Sequence, residues 1–141
     1  MNLYITIRRL GRRLAVGACL WGAPLATVVA APPLAPLPAA TSAFLAKFVN
    51  AEGNVNYAAI KRNPLELKGL LKRIEAFDAA NAKPADREAF YLNAYNLLVI
   101  GEVVARYPLV SVQKVPGFFD KNLVSVAGEK LTLNDLEAQK L

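Results

Sequence analysis

The sequence predicts an α+β fold: a mainly helical N-terminal part with a central buried helix, followed by a β-hairpin and the start of a further helix. Three observations carry that prediction. Proline-led stretches from Pro64 and from Pro84 repeat apolar residues at helical spacing. The second of them is apolar nearly all round, the mark of a helix packed on every side. Residues 123–126 and 130–133 are short β-favouring runs joined around Ala127-Gly128-Glu129, which is a hairpin pattern.

The leading residues predict targeting rather than fold. Residues 1–13 carry Arg8, Arg9, Arg12 and Arg13 with no acid, and residues 14–29 are apolar up to Val28-Val29-Ala30-Ala31-Pro32-Pro33. A basic segment, an apolar segment and a small-residue end make a secretory signal peptide over residues 1–30. Cleavage after Ala30 places Val28 and Ala30 in the small-residue positions and keeps Pro32 from directly following the scissile bond. The expected location is secreted or periplasmic, with the membrane met only through this segment. A retained anchor needs about 20 apolar residues, and Pro24 interrupts the run. A lipoprotein signal at Cys19 leaves too short an apolar segment after Arg13, and the two Arg-Arg pairs do not complete a twin-arginine pattern.

Charge and cysteine content then exclude several classes. The formal charge of +6 falls to +2 without the four leader arginines, and no Lys/Arg cluster with interleaved aromatics follows, so nucleic acid is not an expected partner. The chain has no histidine, and its one cysteine, Cys19, lies in the leader. A disulfide framework, a Cys/His nucleophile pair and an ordinary zinc or iron site are therefore not expected, nor is any cofactor or metal.

Residues 31–43, rich in Pro and Ala, read as a flexible or polyproline-like lead-in to a domain over residues 44–141. Thr41 or Ser42 is placed to cap a short helix to Val49, with Phe44, Leu45 and Phe48 on one face. Ala51-Glu52-Gly53-Asn54 is a turn, and Val55-Asn56-Tyr57 a short extended piece. A helix over residues 64–80 buries Leu67, Leu70, Leu71, Ile74 and Phe77. The long helix from Pro84 to about Arg106 follows, with Asp86 and Glu88 in its first turn and Tyr107-Pro108 as its stop. Residues 109–115 read as extended, residues 116–120 as a loop holding Phe118 and Phe119, and Asn134 with Glu137 as the start of the last helix.

The candidate site lies on the long helix. Asn93 and Asn96 interrupt the run Ala89-Phe90-Tyr91-Leu92-Asn93-Ala94-Tyr95-Asn96-Leu97-Leu98-Val99-Ile100. An unpaired buried amide costs about 1–3 kcal/mol, so both are expected to hold specific hydrogen bonds. Two roles stay open for them. They line a pocket or orient a group in it, or they bond backbone of the hairpin or of the 116–120 loop and fix how the helix docks. Glu102 is either a buried acid or the partner of Arg106 one turn on. Ser111 and Ser125 have no base and read as turn and strand residues. Tyr91, Tyr95, Phe118 and Phe119 at first suggest a carbohydrate platform, but aromatics at helical spacing are more often core.

Gly53-Asn54-Val55-Asn56-Tyr57, the aromatic-x-Asn-x-Tyr-Asn motif at residues 91–96, Tyr107-Pro108 with Ser111-Val112, and residues 127–137 occur in this order. Together they resemble the N-terminal half of the bacterial "domain of unknown function 547" family, over residues 45–141. The resemblance implies an architecture and no settled activity. In the family pattern the last helix is followed by a strand with a histidine and then a cysteine near a proline, positions that this sequence does not include. Two function classes remain. One is an exported module without catalysis of its own that binds a cell-envelope component or a protein partner, with the 116–120 loop as its contact. The other is a fragment of a Cys/His-dependent hydrolase or acyltransferase whose catalytic residues lie beyond Leu141.

Overall fold

The computed structural model describes residues 34–141, so the expected signal peptide lies outside the described residues. Five helices and one hairpin follow in order: α1 Leu37–Phe48, α2 Tyr57–Arg62, α3 Leu65–Glu75, α4 Pro84–Arg106, β1 Val124–Val126, β2 Glu129–Leu131 and α5 Leu133–Lys140. The mainly helical α+β class expected from the sequence is the one observed. α4 is the centre, and α1, α2, α3 and α5 all pack against it.

α1 corrects the lead-in. The chain is helical from Leu37, with Pro38 in the first turn where a missing N–H costs nothing, and Leu37 and Ala40 pack against the core. Thr41 is therefore not a cap. It sits inside the helix at 1% exposure, and its Oγ1 finds no hydrogen-bond partner among the described residues. Phe44 and Phe48 point inward with ring centroids 4.9 Å apart.

The following turn is closed by an isolated bridge between Val49 and Val55, with Gly53 at φ 82°, a conformation that favours glycine. Tyr57, expected in an extended piece, instead begins α2. Asn56 caps that helix, its Oδ1 accepting from Ala59 N at 3.0 Å.

α3 ends at Glu75, short of the expected Ala80, because other chain segments take its last carbonyls. Ala127 N donates to Ile74 O at 2.9 Å and Gly128 N to Glu75 O at 2.8 Å, so the hairpin turn caps the helix. Phe77 then leaves the helical path and stacks on Phe90, with centroids 3.8 Å apart and planes 11° apart. At Gly101 of α4 an added Cβ would stand 3.1 Å from Leu71 Cδ1, so the glycine lets α3 approach closely.

α4 spans the expected residues and buries Phe90, Tyr91, Ala94, Leu97, Leu98, Ile100, Val103 and Val104. It is not covered on every side, however. Ala85, Ala89, Leu92 and Asn96 form an exposed stripe at i, i+4, i+7, i+11 spacing, with Leu92 at 49% exposure. Beyond α4, residues 112–114 form one 3-10 turn where an extended segment was expected, and Ser111 Oγ accepts from Gln113 N at its start.

β1 and β2 pair antiparallel, Val124 opposite Leu131 and Val126 opposite Glu129, around a two-residue turn with Ala127 at φ 49° and Gly128 at φ 79°. The second strand ends earlier than expected because Thr132 leaves it to cap α5. Thr132 Oγ1 accepts from Asp135 N at 3.0 Å, and Asp135 Oδ2 accepts from Thr132 N at 3.4 Å. The capping box is thus Thr132 with Asp135 rather than Asn134 with Glu137. The shift leaves Leu133 free to be fully buried beside Leu136.

Candidate functional site

The two asparagines do not share an environment. Three residues apart on a helix, they point about 60° apart, as 3.6 residues per turn requires. Asn93 is half-buried, and its Nδ2 donates to Ala89 O in the preceding turn at 2.8 Å. Asn96 lies on the exposed stripe of α4. Of the two expected roles, the bonds to the hairpin or the 116–120 loop are absent among the described residues. Asn93 bonds back to its own helix turn, and Asn96 meets solvent, where an amide is satisfied without a protein partner.

Asn93 lines a cavity of about 430 Å³ between the start of α1, the loop after α3 and the first turns of α4. The wall is Leu37, Pro38, Phe77, Ala82, Ala89 and Phe90. Its polar lining is Asp78, Asn81, Asp86 and Asn93, with no lysine or arginine among them. The loop carrying Asp78 is held by its own Asx turn. Asp78 Oδ2 accepts from Asn81 Nδ2 at 2.7 Å, and Oδ1 from Asn81 N at 3.2 Å. Those Asn81 bonds hold the Asp78 carboxyl below its ordinary 3.8, so it is ionised at neutral pH.

A second cavity of about 570 Å³ opens on the other side of Phe77 and Asp78, toward α5 and the hairpin. Its charges are mixed: Asp78, Arg87, Glu88, Glu129 and Lys140. Lys140 Nζ pairs with Glu129 Oε1 at 2.9 Å and stands 5.7 Å from the centre of the Tyr91 ring, so its charge is already neutralised.

The remaining candidates take structural places. Glu102 Oε2 pairs with Arg106 at 2.5 Å, and the guanidinium lies 5.7 Å from the Phe118 ring centre, the partnership that the one-turn spacing allowed. Ser125 is a strand residue. Tyr91 is buried, and Tyr95 Oη donates to Glu137 Oε2 at 3.4 Å. Partial burial and then the Glu137 charge raise the Tyr95 phenol above its ordinary value. Phe118 is 1% exposed, and Asn134 N donates to Phe119 O at 2.9 Å, so the 116–120 loop is fastened to α5 and offers no aromatic platform. Tyr57 and Tyr107, from two of the motif stretches, meet with ring centroids 6.4 Å apart, and Lys61 Nζ donates to Tyr107 O. Among the described residues no group of three or more His, Cys, Asp or Glu gathers in metal-binding geometry, and no helix is long and apolar enough to cross a membrane.

Sequence reasoning missed Asp78, Asn81, Asp86 and the two residues at the start of α1. The Asp78-x-x-Asn81 spacing just ahead of Pro84 was a readable signal for an ordered loop. Nothing in the sequence places Leu37 beside it.

Helices packed around one central helix and closed by a hairpin make a small α+β domain with two cavities beside the first turns of α4. Residues 79–141, from the loop after α3 through α5, match the family model described as "Protein of unknown function, DUF547". The match includes the Asn93 and Asn96 motif, the hairpin and α5, whereas Gly53 to Tyr57 lie ahead of it. No curated protein and no solved structure matches the chain.

Proposed function

We propose that this chain is an exported bacterial binding module, without catalysis of its own, that takes a small ligand in the cavity beside Asn93. The observation that carries the proposal is the cavity of about 430 Å³, with a mostly apolar wall and a few polar groups converging on it. Ligand sites commonly have about this size and this lining. Asn93 commits its Nδ2 to Ala89 O and leaves Oδ1 to accept a bond from a ligand. Asn96 lies outside the cavity lining and is assigned no contact there. Export is supported by the basic and apolar leader pattern of residues 1–30, and the non-catalytic reading by a sequence with no histidine and one leader cysteine.

The test is a small-molecule screen on the isotope-labelled full chain by NMR. Hits that shift the amides of Ala82, Ala89 and Asn93, and that vanish in Ala89→Trp, support the reading. Hits that cluster elsewhere, or no hits at all, overturn it. Export is tested separately by N-terminal sequencing of the protein recovered outside the cytoplasm. A start at Ala31 is expected, and full-length protein kept in the cytoplasm overturns this part.

One observation favours a second reading. The stripe of Ala85, Ala89, Leu92 and Asn96 leaves apolar surface open on the central helix, which is the kind of surface that further chain covers. Under that reading this half supports a Cys/His-dependent hydrolase or acyltransferase completed downstream. Reading the coding DNA past Leu141 decides it: an in-frame His- and Cys-bearing strand favours the enzyme, and a stop codon removes it.

A further inference from the structure

We infer that the cavity beside Asn93 selects an organic ammonium ion, a molecule with an apolar body and a single cationic head. The inference rests on the binding role proposed above and concerns what the cavity prefers.

Charge decides the class. Asp78 and Asp86 bring two full negative charges to the lining, and no basic side chain shares it. Two helix starts oppose them, since Leu37 and Pro38 belong to the first turn of α1 and Asp86 to that of α4. A helix start amounts to roughly half a positive charge, so two of them offset about one carboxylate and leave the mouth negative by about one charge. Pro38 also has no N–H, which weakens the α1 start as an anion site. The basic residues nearest in sequence do not line this cavity. Arg87 lines the other one, which Asp78 also borders along with Glu88 and Glu129, and Lys83 lines neither.

The neutral part of the ligand is set by the wall. Leu37, Phe77, Ala82, Ala89 and Phe90 offer apolar surface that rewards a hydrocarbon or aromatic body, whereas a bare metal cation would leave that surface unused. The polar groups of the lining supply acceptors. Asn93 Oδ1 and the two carboxylates are acceptors, and the acceptor–cation match is what an –NH₃⁺ group with three donors needs. The 570 Å³ cavity is the internal contrast, because Arg87 and Lys140 stand among its carboxylates Asp78, Glu88 and Glu129, whereas no cation lines the cavity beside Asn93.

The test titrates the full chain with three probes of one body: octylammonium, octanol and octanoate. Octylammonium is expected to bind roughly tenfold more tightly than octanol, the effect of about 1.4 kcal/mol of charge attraction, and octanoate more weakly than either. The double variant Asp78→Asn, Asp86→Asn is expected to bring octylammonium to the octanol level without moving octanol. Raising salt should narrow the gap between the two probes. Equal binding of all three, with shifts that still map to Ala82, Ala89 and Asn93, overturns the ammonium preference and leaves the cavity a ligand site. Binding that ignores Ala89→Trp, or that is absent for every probe, overturns both. Tighter binding of octanoate than of octylammonium reverses the sign of the inference and would mean that the helix starts outweigh the aspartates.

Discussion

The elements packed around α4 fall into two groups held by different forces. In the first, α1, α2 and α3 press Phe44, Phe48, Ile60, Leu67, Leu70 and Ile74 into the apolar core, with few polar bonds crossing it. In the second, the hairpin and α5 add a smaller set to the same core, Phe118, Val124, Val126, Leu133 and Leu136, and are fixed by directed hydrogen bonds. Among these are the turn amides on the end of α3, Asn134 N on Phe119 O, and the Thr132–Asp135 box. Area burial tolerates small angular errors, but hydrogen bonds and caps do not. The first group should therefore respond to lost volume and the second to lost geometry.

Substitutions can break that comparison, and they rank by size. Phe44→Ala, at a fully buried ring, is expected to cost about 3–5 kcal/mol in urea unfolding. A cost below about 1 kcal/mol would show that α1 is loosely attached. In the second group Gly128→Ala forces a side chain into a left-handed position, and about 1–2 kcal/mol is expected although no volume is lost. Thr132→Ala removes the α5 cap and is expected to cost about 1 kcal/mol, concentrated in faster hydrogen exchange of the Leu133–Lys140 amides. Thr41→Val works in the opposite direction. It replaces a buried hydroxyl that has no partner among the described residues with a methyl of equal shape, and a gain of about 1 kcal/mol in the same unfolding assay is expected. Asn93→Leu is the smallest, within about 0.5 kcal/mol, because a half-exposed amide bonded to its own helix gives up little. A large loss there would restore the buried, docking role that the sequence suggested.

Legibility followed locality. α4 was readable end to end because Pro84 starts it, Tyr107-Pro108 stops it and apolar residues recur throughout. The hairpin was readable because Ala127-Gly128 sits between two β-favouring runs. The capping box was displaced by two residues because Asn134 with Glu137 and Thr132 with Asp135 both satisfy the spacing, and only the burial of Leu133 chooses between them. α2 was missed because a six-residue helix has too little periodicity to register. The exposure of Asn96 was illegible because an apolar pattern on all faces implies that all faces are covered, and one is not. The cavity was illegible for another reason. It joins Leu37 and Pro38, Phe77 to Ala82, and Asp86 to Asn93, three stretches that only packing brings together.

The bonds from Ala127 and Gly128 to Ile74 and Glu75 also have a meaning in time. A chain is made from its N-terminus, so the residues of α3 precede the amides that finish its end. Until the hairpin turn docks, the carbonyls of Ile74 and Glu75 lack those two donors. The core of α1 to α4 is then a half-closed clasp, and the hairpin tip is the piece that snaps it shut. Assembly is thereby ordered, with the first three helices waiting for residue 128 before the fold can lock.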